Sequence, residues 1–371
     1  MKITDVKVIN LRAVKETGEL EAAWNPGRKF PFQVGGGSFT EVYTDEGISG
    51  IGPGMDPQLI AETKRVLAGR DPFDVEQLAA ELRHHVLGSP YRGTAGIDIA
   101  LWDIIGKACK QPLYKLWGGG RDKVIPYASM IKLSTPEERA EMALNLMHEG
   151  WKAVKLRLHH ESMKDDIRTV EAVRKAVGDR MTIMVDANQA QSSGRWQPGL
   201  LWDFRRAVET AREIEKLGVY WLEEPLPRYA YKQIAELCEK VEMPIAGGEN
   251  NKFVHEFVDM VEAGAYDLFQ PECMVLDGIT ALRKVGTLAE LHNKQIVPHH
   301  GGGTIGVIAQ IHLVAGWPHA PFLELLHEPP VGDYRHRFAM MSNAPLVKDG
   351  YMPVPQGPGL GVEIDRSLIV K

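Results

Sequence analysis

A parallel α/β barrel is predicted for most of this chain, with a smaller mixed α+β segment ahead of it. Two observations predict it. From about Val124 onward, short apolar runs alternate with amphipathic helical segments, the pattern of a parallel sheet with helical crossovers. Eight such runs occur, and eight βα units close most naturally into a barrel. Before Val124 the texture differs, with alternating strand-like runs followed by helices.

Residues Ile3–Arg12 alternate as a strand does, and Phe39–Thr44 alternates again before the turn Asp45-Glu46-Gly47. Together they suggest an antiparallel meander. Between them, Glu19–Ser38 carries Trp24, Pro26, Gly27, Arg28, Pro31 and Gly35-Gly36-Gly37. This stretch reads as a long loop, and long ordered loops often bind ligands. Helical periodicity follows through Pro57–Ala68, Asp74–Val86 and Thr94–Cys109.

The strand-like runs are Val124–Ser129, Lys152–Leu158, Met181–Asp186, Val219–Glu223, Pro244–Gly247, Tyr266–Gln270, Gln295–His299 and Ala320–Leu325. Helices are predicted at Met163–Val177, with Gly178 as the stop, and at Phe204–Leu217 and Thr280–His292. After the last run come Pro329-Pro330 and a Gly/Pro-rich tail, so an eighth helix is not expected. The tail Ala344–Lys371 alternates and is expected to return to the first segment.

Composition narrows the function. The 371 residues are 44% hydrophobic and 25% charged, an ordinary globular balance. The formal net charge is −6 and no basic run occurs, which argues against a nucleic-acid partner. Cys109, Cys238 and Cys273 are few, odd in number and far apart, which fits a reducing cytoplasm rather than a disulfide framework. The start of the chain lacks the apolar region of a signal peptide, and no stretch is apolar and long enough to span a bilayer.

Barrels of this kind place their chemistry at the carboxyl ends of the strands. Three consecutive runs end in acids: Asp186, then Glu223-Glu224, then Glu249. Carboxylates brought that close repel one another unless a cation sits among them. Oxygen ligands of this kind suit Mg²⁺. The second run ends in Lys155-Leu156-Arg157, which period 2 places on one face as candidate substrate or proton-transfer groups. The seventh ends in His299-His300, the sixth is followed by Glu272, and the eighth carries Glu324. A carboxylate beside an imidazole raises its basicity and fixes its tautomer.

With these residues the chain resembles the mandelate racemase subgroup of the enolase superfamily. The resemblance rests on Val185-Asp186-Ala187-Asn188, Leu222-Glu223-Glu224-Pro225 and Gly248-Glu249-Asn250. It also rests on Thr94–Asp103 with Leu116–Gly119, and on the tail from Asp349 to Gly361. It implies a modified TIM barrel, (β/α)7β, over residues 118–330. An α+β capping domain would form from residues 1–117, joined by the returning segment 331–371. It implies Mg²⁺ on Asp186, Glu223 and Glu249, with Glu224 adjacent but not a ligand. Lys155 matches the first lysine of the family's KxK motif, and Arg157 stands where the second is usual. His299, oriented by Glu272, matches the dyad base, with His300 the lesser candidate. Glu324 matches an acid that bonds a substrate carboxylate, protonated in that role, and Asn188 matches a carboxylate contact. Trp24 and Arg28 fall in what looks like the specificity loop.

Arginine stays protonated at any working pH, so Arg157 is a poor base and one clear base remains. One-base chemistry fits β-elimination. The reaction implied is dehydration of a sugar acid, through an enediolate, to a 2-keto-3-deoxy acid. The substrate would be an aldonate such as L-rhamnonate, L-lyxonate, L-fuconate or an arabinonate. A diacid such as galactarate or tartrate stays open, because Arg28, Lys29 and Arg157 could pair with a second carboxylate. A racemase or epimerase with Lys155 as second base, or a non-catalytic metal-binding paralogue, are the alternatives. The resemblance also suggests a homo-oligomer, an octamer or a smaller even-numbered assembly.

Overall fold

The computed structural model describes residues 1–85, 94–191 and 196–371. The chain opens with three antiparallel strands, β1 (Ile3–Glu21), β2 (Lys29–Thr44) and β3 (Ser49–Pro53). Among the described residues, four α-helices follow: α1 (Ile60–Leu67), α2 (Val75–His85), α3 (Thr94–Ala108) and α4 (Leu113–Leu116). The expected helix Asp74–Val86 is therefore α2, and Val86 lies outside the described residues.

The segment Glu19–Ser38 is not a loop. It is the far half of a β-hairpin in which Glu19 pairs with Pro31, Leu20 with Phe30 and Glu21 with Lys29. Much of this ribbon is exposed on both faces, so no alternation marks it in the sequence. Its register breaks between Ala13 and Lys15 and between Glu16 and Gly18. Gly35, Gly36 and Gly37 lie opposite that region with φ of +67°, +80° and +86°, a left-handed run that only glycine adopts cheaply.

The barrel strands, each with the helix that follows, come next. After a short β4 (Lys123–Val124) they are β5 (Pro126–Ser129) with α5 (Pro136–His148), β6 (Ala153–Arg157) with α6 (Met163–Val177), and β7 (Thr182–Asp186) with α7 (Phe204–Glu215). Then come β8 (Leu222–Glu223) with α8 (Tyr231–Cys238), β9 (Ile245–Gly247) with α9 (Val254–Ala263), and β10 (Leu268–Phe269) with α10 (Ile279–Leu291). The last are β11 (Gln295–Ile296) with α11 (Ile305–Gly316), and β12 (Leu323–Leu326). All pairings in this sheet are parallel, in the order β11-β10-β9-β8-β7-β6-β5-β12. Among the described residues, seven helices separate eight strands, the (β/α)7β arrangement. No long helix follows β12, only the five-residue α12 (Tyr334–Phe338) and the short strand β13 (Met352–Pro353).

Strand periodicity explains how the barrel interior changes from apolar to polar. One buried cluster holds a residue from each strand or its immediate flank: Tyr127, Ala153, Met184, Trp221, Ala246, Leu268, Val297 and Phe322. Two residues further along seven of these strands, on the same inward face, stand Ser129, Lys155, Asp186, Glu223, Gln270, His299 and Glu324. An apolar plug thus supports a polar ring directly above it.

The C-terminal tail lies on the first segment. The backbone N–H of Leu360 donates to Asp103 Oδ1 at 2.8 Å and that of Val370 to Asn10 O at 2.9 Å. The Arg366 guanidinium meets both Glu41 oxygens, at 2.6 and 2.7 Å.

Two buried histidines tie these parts together in neutral form. His312 on α11 accepts from the Tyr114 N–H (3.4 Å) and donates to Leu360 O (3.1 Å). His327 stacks on Trp151, with ring centroids 4.8 Å apart. Burial pushes each down to about 4, partly offset by Leu360 for the first and Asp333 for the second. Their folded pKa lies below the unfolded value, so the unfolded chain takes up protons first as pH falls from about 6.5 toward 4. Stability is therefore lost on acidification through that window. At pH 5 each histidine should cost on the order of 2 kcal/mol relative to pH 7.5. Urea unfolding at both pH values should show a smaller pH loss in the His312→Gln/His327→Gln double variant. An unchanged loss would contradict this assignment.

Candidate active site

The carboxyl ends of β7, β8 and β9 bring Asp186, Glu223 and Glu249 together. Their ligand oxygens lie within 4.8 Å of one another and all three side chains are buried. Neighbouring polar groups hold each in place. Asp186 accepts from the Asn188 backbone N–H (2.7 Å) and side-chain amide (2.9 Å), and from Arg157. Glu223 accepts from Gln270 (2.6 Å) and the Trp221 indole (3.2 Å). Glu249 accepts from Gln191 (3.0 Å) and Asn250 (2.9 Å).

Lys155 and Arg157 share the inward face of β6. Lys155 Nζ is fully buried, 2.6 Å from Glu223, 2.8 Å from Glu324 and 3.7 Å from Asp186. Burial alone would lower its pKa, but Glu223, Glu324 and Asp186 outweigh that and hold it charged. The Arg157 guanidinium donates to Met130 O (2.9 Å), Ser129 Oγ (3.0 Å), Asn188 Oδ1 (3.2 Å) and Asp186. It is a fixed brace, with most of its donors engaged.

Glu324 differs from the expectation of a protonated acid. Burial favours its neutral form, but Lys155, His299 and His300 outweigh burial and hold it well below the usual carboxylate range. Sequence could not show that Lys155 would lie 2.8 Å away.

On the opposite side of the ring, His299 donates from Nδ1 to Glu272 Oε2 (2.8 Å) and from Nε2 to Glu249 Oε2 (3.1 Å). Glu272 is itself held by the backbone N–H groups of Gly301 (3.0 Å) and Met274 (3.0 Å). That approach requires glycine: a Cβ on Gly301, φ +62°, would lie 2.5 Å from Gly306 C. His300 packs its ring 4.0 Å from that of His299.

The hairpin tip closes over this ring from the first segment. The Ala23 N–H donates to Ile131 O (2.8 Å), and Ile131 N–H is held by Glu328 (2.8 Å), which pairs with buried Arg139 (3.0 Å). This places the Trp24 ring 4.8 Å from the Arg157 guanidinium carbon. Arg28 is not brought to the carboxylates. It is exposed at the turn, 5.1 Å from the Phe30 ring.

Sequence reasoning passed over several neutral groups here. Gln270, Trp221 and Ser129 bond Glu223 or Arg157, and His159 Nε2 donates to Asn188 Oδ1 (3.0 Å). The signal was present in part. Ser129 and Gln270 follow the plug residues by two positions, and His159 continues the face of Lys155 and Arg157.

The residues fit a divalent cation. The donors are all carboxylate oxygens, the set that hard cations such as Mg²⁺ prefer. The surroundings carry excess negative charge. Although burial opposes it, Glu249, Glu324 and Glu272 push His299 up to about 10. Buried Glu224 is driven well above the usual range, first by burial and then by Glu249, Asp186 and Glu223. A bound cation would neutralise that excess.

A barrel carrying such acids on three successive strands, capped by an α+β segment, defines an enolase-like protein. Residues 138–368 match the family described as enolase C-terminal domain-like, and residues 37–118 match the mandelate racemase/muconate lactonizing enzyme N-terminal domain. The chain belongs to the mandelate racemase/muconate lactonizing enzyme family of the enolase superfamily. It is 31% identical to an arabinonate dehydratase of Saccharolobus solfataricus, over 88% of this chain and 87% of that one. It is 29% identical to an L-talarate/galactarate dehydratase of Salmonella typhimurium, over 98% and 94%. A crystal structure of a racemase from Streptomyces coelicolor with bound magnesium superposes with a TM-score of 0.80 at 25% identity, covering 99% of this chain and 100% of that one. Other relatives are named as cycloisomerases and racemases. Among the described residues, no helix is long and apolar enough to cross a membrane.

Proposed function

We propose that the chain is a lyase, a Mg²⁺-dependent dehydratase of a sugar acid. The observation that carries this reading is the asymmetry of the ring. One side offers a single oriented imidazole, His299 on Glu272. The other offers Arg157, a permanent cation held by Met130, Ser129, Asn188 and Asp186. Racemisation needs a competent base on each face of the carbanion. Lys155, the second base that the racemase reading needs, is buried and ion-paired to Glu223 and Glu324. This arrangement favours one-base elimination over the racemase reading.

Asp186, Glu223 and Glu249 would hold Mg²⁺, which supplies Lewis-acid stabilisation of the charge that develops on the substrate carboxylate. Lys155 adds a fixed positive charge beside Glu223 and Glu324. Once a cation in the triad offsets the carboxylates that otherwise keep His299 protonated, the neutral imidazole takes the α-proton at Nε2, and Glu272 stabilises the imidazolium that forms. The 3-hydroxyl then leaves with a proton, as water. The enol left between C2 and C3 takes a solvent proton at C3 and gives the 2-keto-3-deoxy acid. Trp24, stacked on Arg157, covers the mouth and would meet the distal end of the substrate. Aldonates are the leading substrate class, with aldarates second.

A screen of mono- and diacid sugars with Mg²⁺, detecting 2-keto acid, tests this reading. Turnover on one or a few sugar acids, lost on chelation, is the expected result. Silence across the library, or α-proton exchange with no keto acid, would overturn it.

A further inference from the structure

The site contains a second potential metal-ligand group whose chemistry differs from the first. Glu272, His299 and His300 each present a ligand atom, and these atoms all lie within 4.8 Å of one another. The two rings sit 4.0 Å apart at 46°. His300 Nδ1 is buried and has no hydrogen-bond partner among the described residues. The remaining charged neighbours of His300 are Glu324 and Lys155, which pair with each other at 2.8 Å, and Arg337, which donates to Gly302 O at 3.1 Å.

Two imidazoles and one carboxylate suit Zn²⁺ and other first-row transition ions, whereas Mg²⁺ prefers all-oxygen ligands. We propose that Glu272, His299 and His300 form an inhibitory transition-metal site, separate from the carboxylate triad, that takes Zn²⁺. An ion bound there coordinates the His299 ring, and its positive charge keeps that ring from taking up a proton, so it disables the base while the Mg²⁺ ligands stay in place. The inhibitory consequence rests on the proposed role of His299, whereas Zn²⁺ binding itself does not. Nothing in the triad requires His300, so the two sites can be separated by substitution.

The test is calorimetric titration of tag-free full-length chain with Zn²⁺ alone, for wild type, His300→Gln and Asp186→Asn. His300→Gln is expected to weaken Zn²⁺ binding at least tenfold while Mg²⁺ binding stays within about twofold. Asp186→Asn is expected to weaken Mg²⁺ and keep the Zn²⁺ site. In the Mg²⁺-saturated wild type, added Co²⁺ should give the visible ligand-field bands of a nitrogen-containing site, a readout that needs no variant. With a turned-over sugar acid, Zn²⁺ inhibition should not be relieved by raising Mg²⁺. Unchanged Zn²⁺ binding in His300→Gln, or full displacement of Zn²⁺ or Co²⁺ by Mg²⁺, would place the ion in the triad and overturn the proposal. A chain that binds Zn²⁺ through His300 yet turns over no sugar acid would refute the dehydratase reading alone.

Discussion

Replacing His299 with asparagine should lower dehydration by about 10³-fold or more and leave Mg²⁺ affinity nearly unchanged. A positioned general base contributes roughly 10²–10⁴-fold, and Lys155 is held charged by Glu223 and Glu324. Asparagine can still donate to Glu272, so the 2.8 Å contact that orders the loop survives while the proton acceptor is lost. α-Proton exchange in D₂O should disappear together with product. Glu272→Gln should do less, on the order of 10–100-fold. It keeps an acceptor for the Gly301 N–H but loses the charge that stabilises the imidazolium. If His299→Asn loses elimination yet keeps exchange, another group takes the α-proton and Lys155 becomes the candidate.

Asp186→Asn should abolish both Mg²⁺ binding and turnover. Asp186 is the acid most tightly built into the ring, because Asn188 and Arg157 bond it and Lys155 lies 3.7 Å away. Ligand linkage gives the readout. At 100 times its dissociation constant, Mg²⁺ should stabilise wild type by about 2.7 kcal/mol. For a chain of this size that is a rise in Tm of roughly 3–4 °C. Asp186→Asn should show no such rise. Removing this carboxylate also leaves Arg157 without its anion, so the variant should start from a lower Tm. Glu249→Gln provides the second test. Its oxygens meet only Gln191, Asn250 and His299 among the described residues, so it should fold normally and still lose the Mg²⁺-dependent shift. A full shift in both variants would mean that Mg²⁺ binds elsewhere.

The barrel and its acids were legible because both are written in short-range pattern. Each strand is an apolar run, and the acids at Asp186, Glu223 and Glu249 fall at the ends of three consecutive runs. The polar ring follows the apolar plug by two residues, the strand period itself. The hairpin was not legible, because a ribbon wetted on both faces carries no alternation and its glycines imitate a loop. The ionised state of Glu324 depends on Lys155, which lies 169 positions earlier in the chain, and Arg28 depends on which way the hairpin turn faces. Gln270 and Trp221 acquire their roles only through Glu223, a partner that no local pattern names.

The most direct test of the account follows a sugar-acid substrate by ¹H NMR in D₂O with Mg²⁺ and wild-type chain. The account predicts a 2-keto-3-deoxy acid carrying deuterium at C3, with neither product nor exchange in His299→Asn. Deuterium uptake or epimerisation at C2 of the recovered acid, with no keto acid formed, would contradict it.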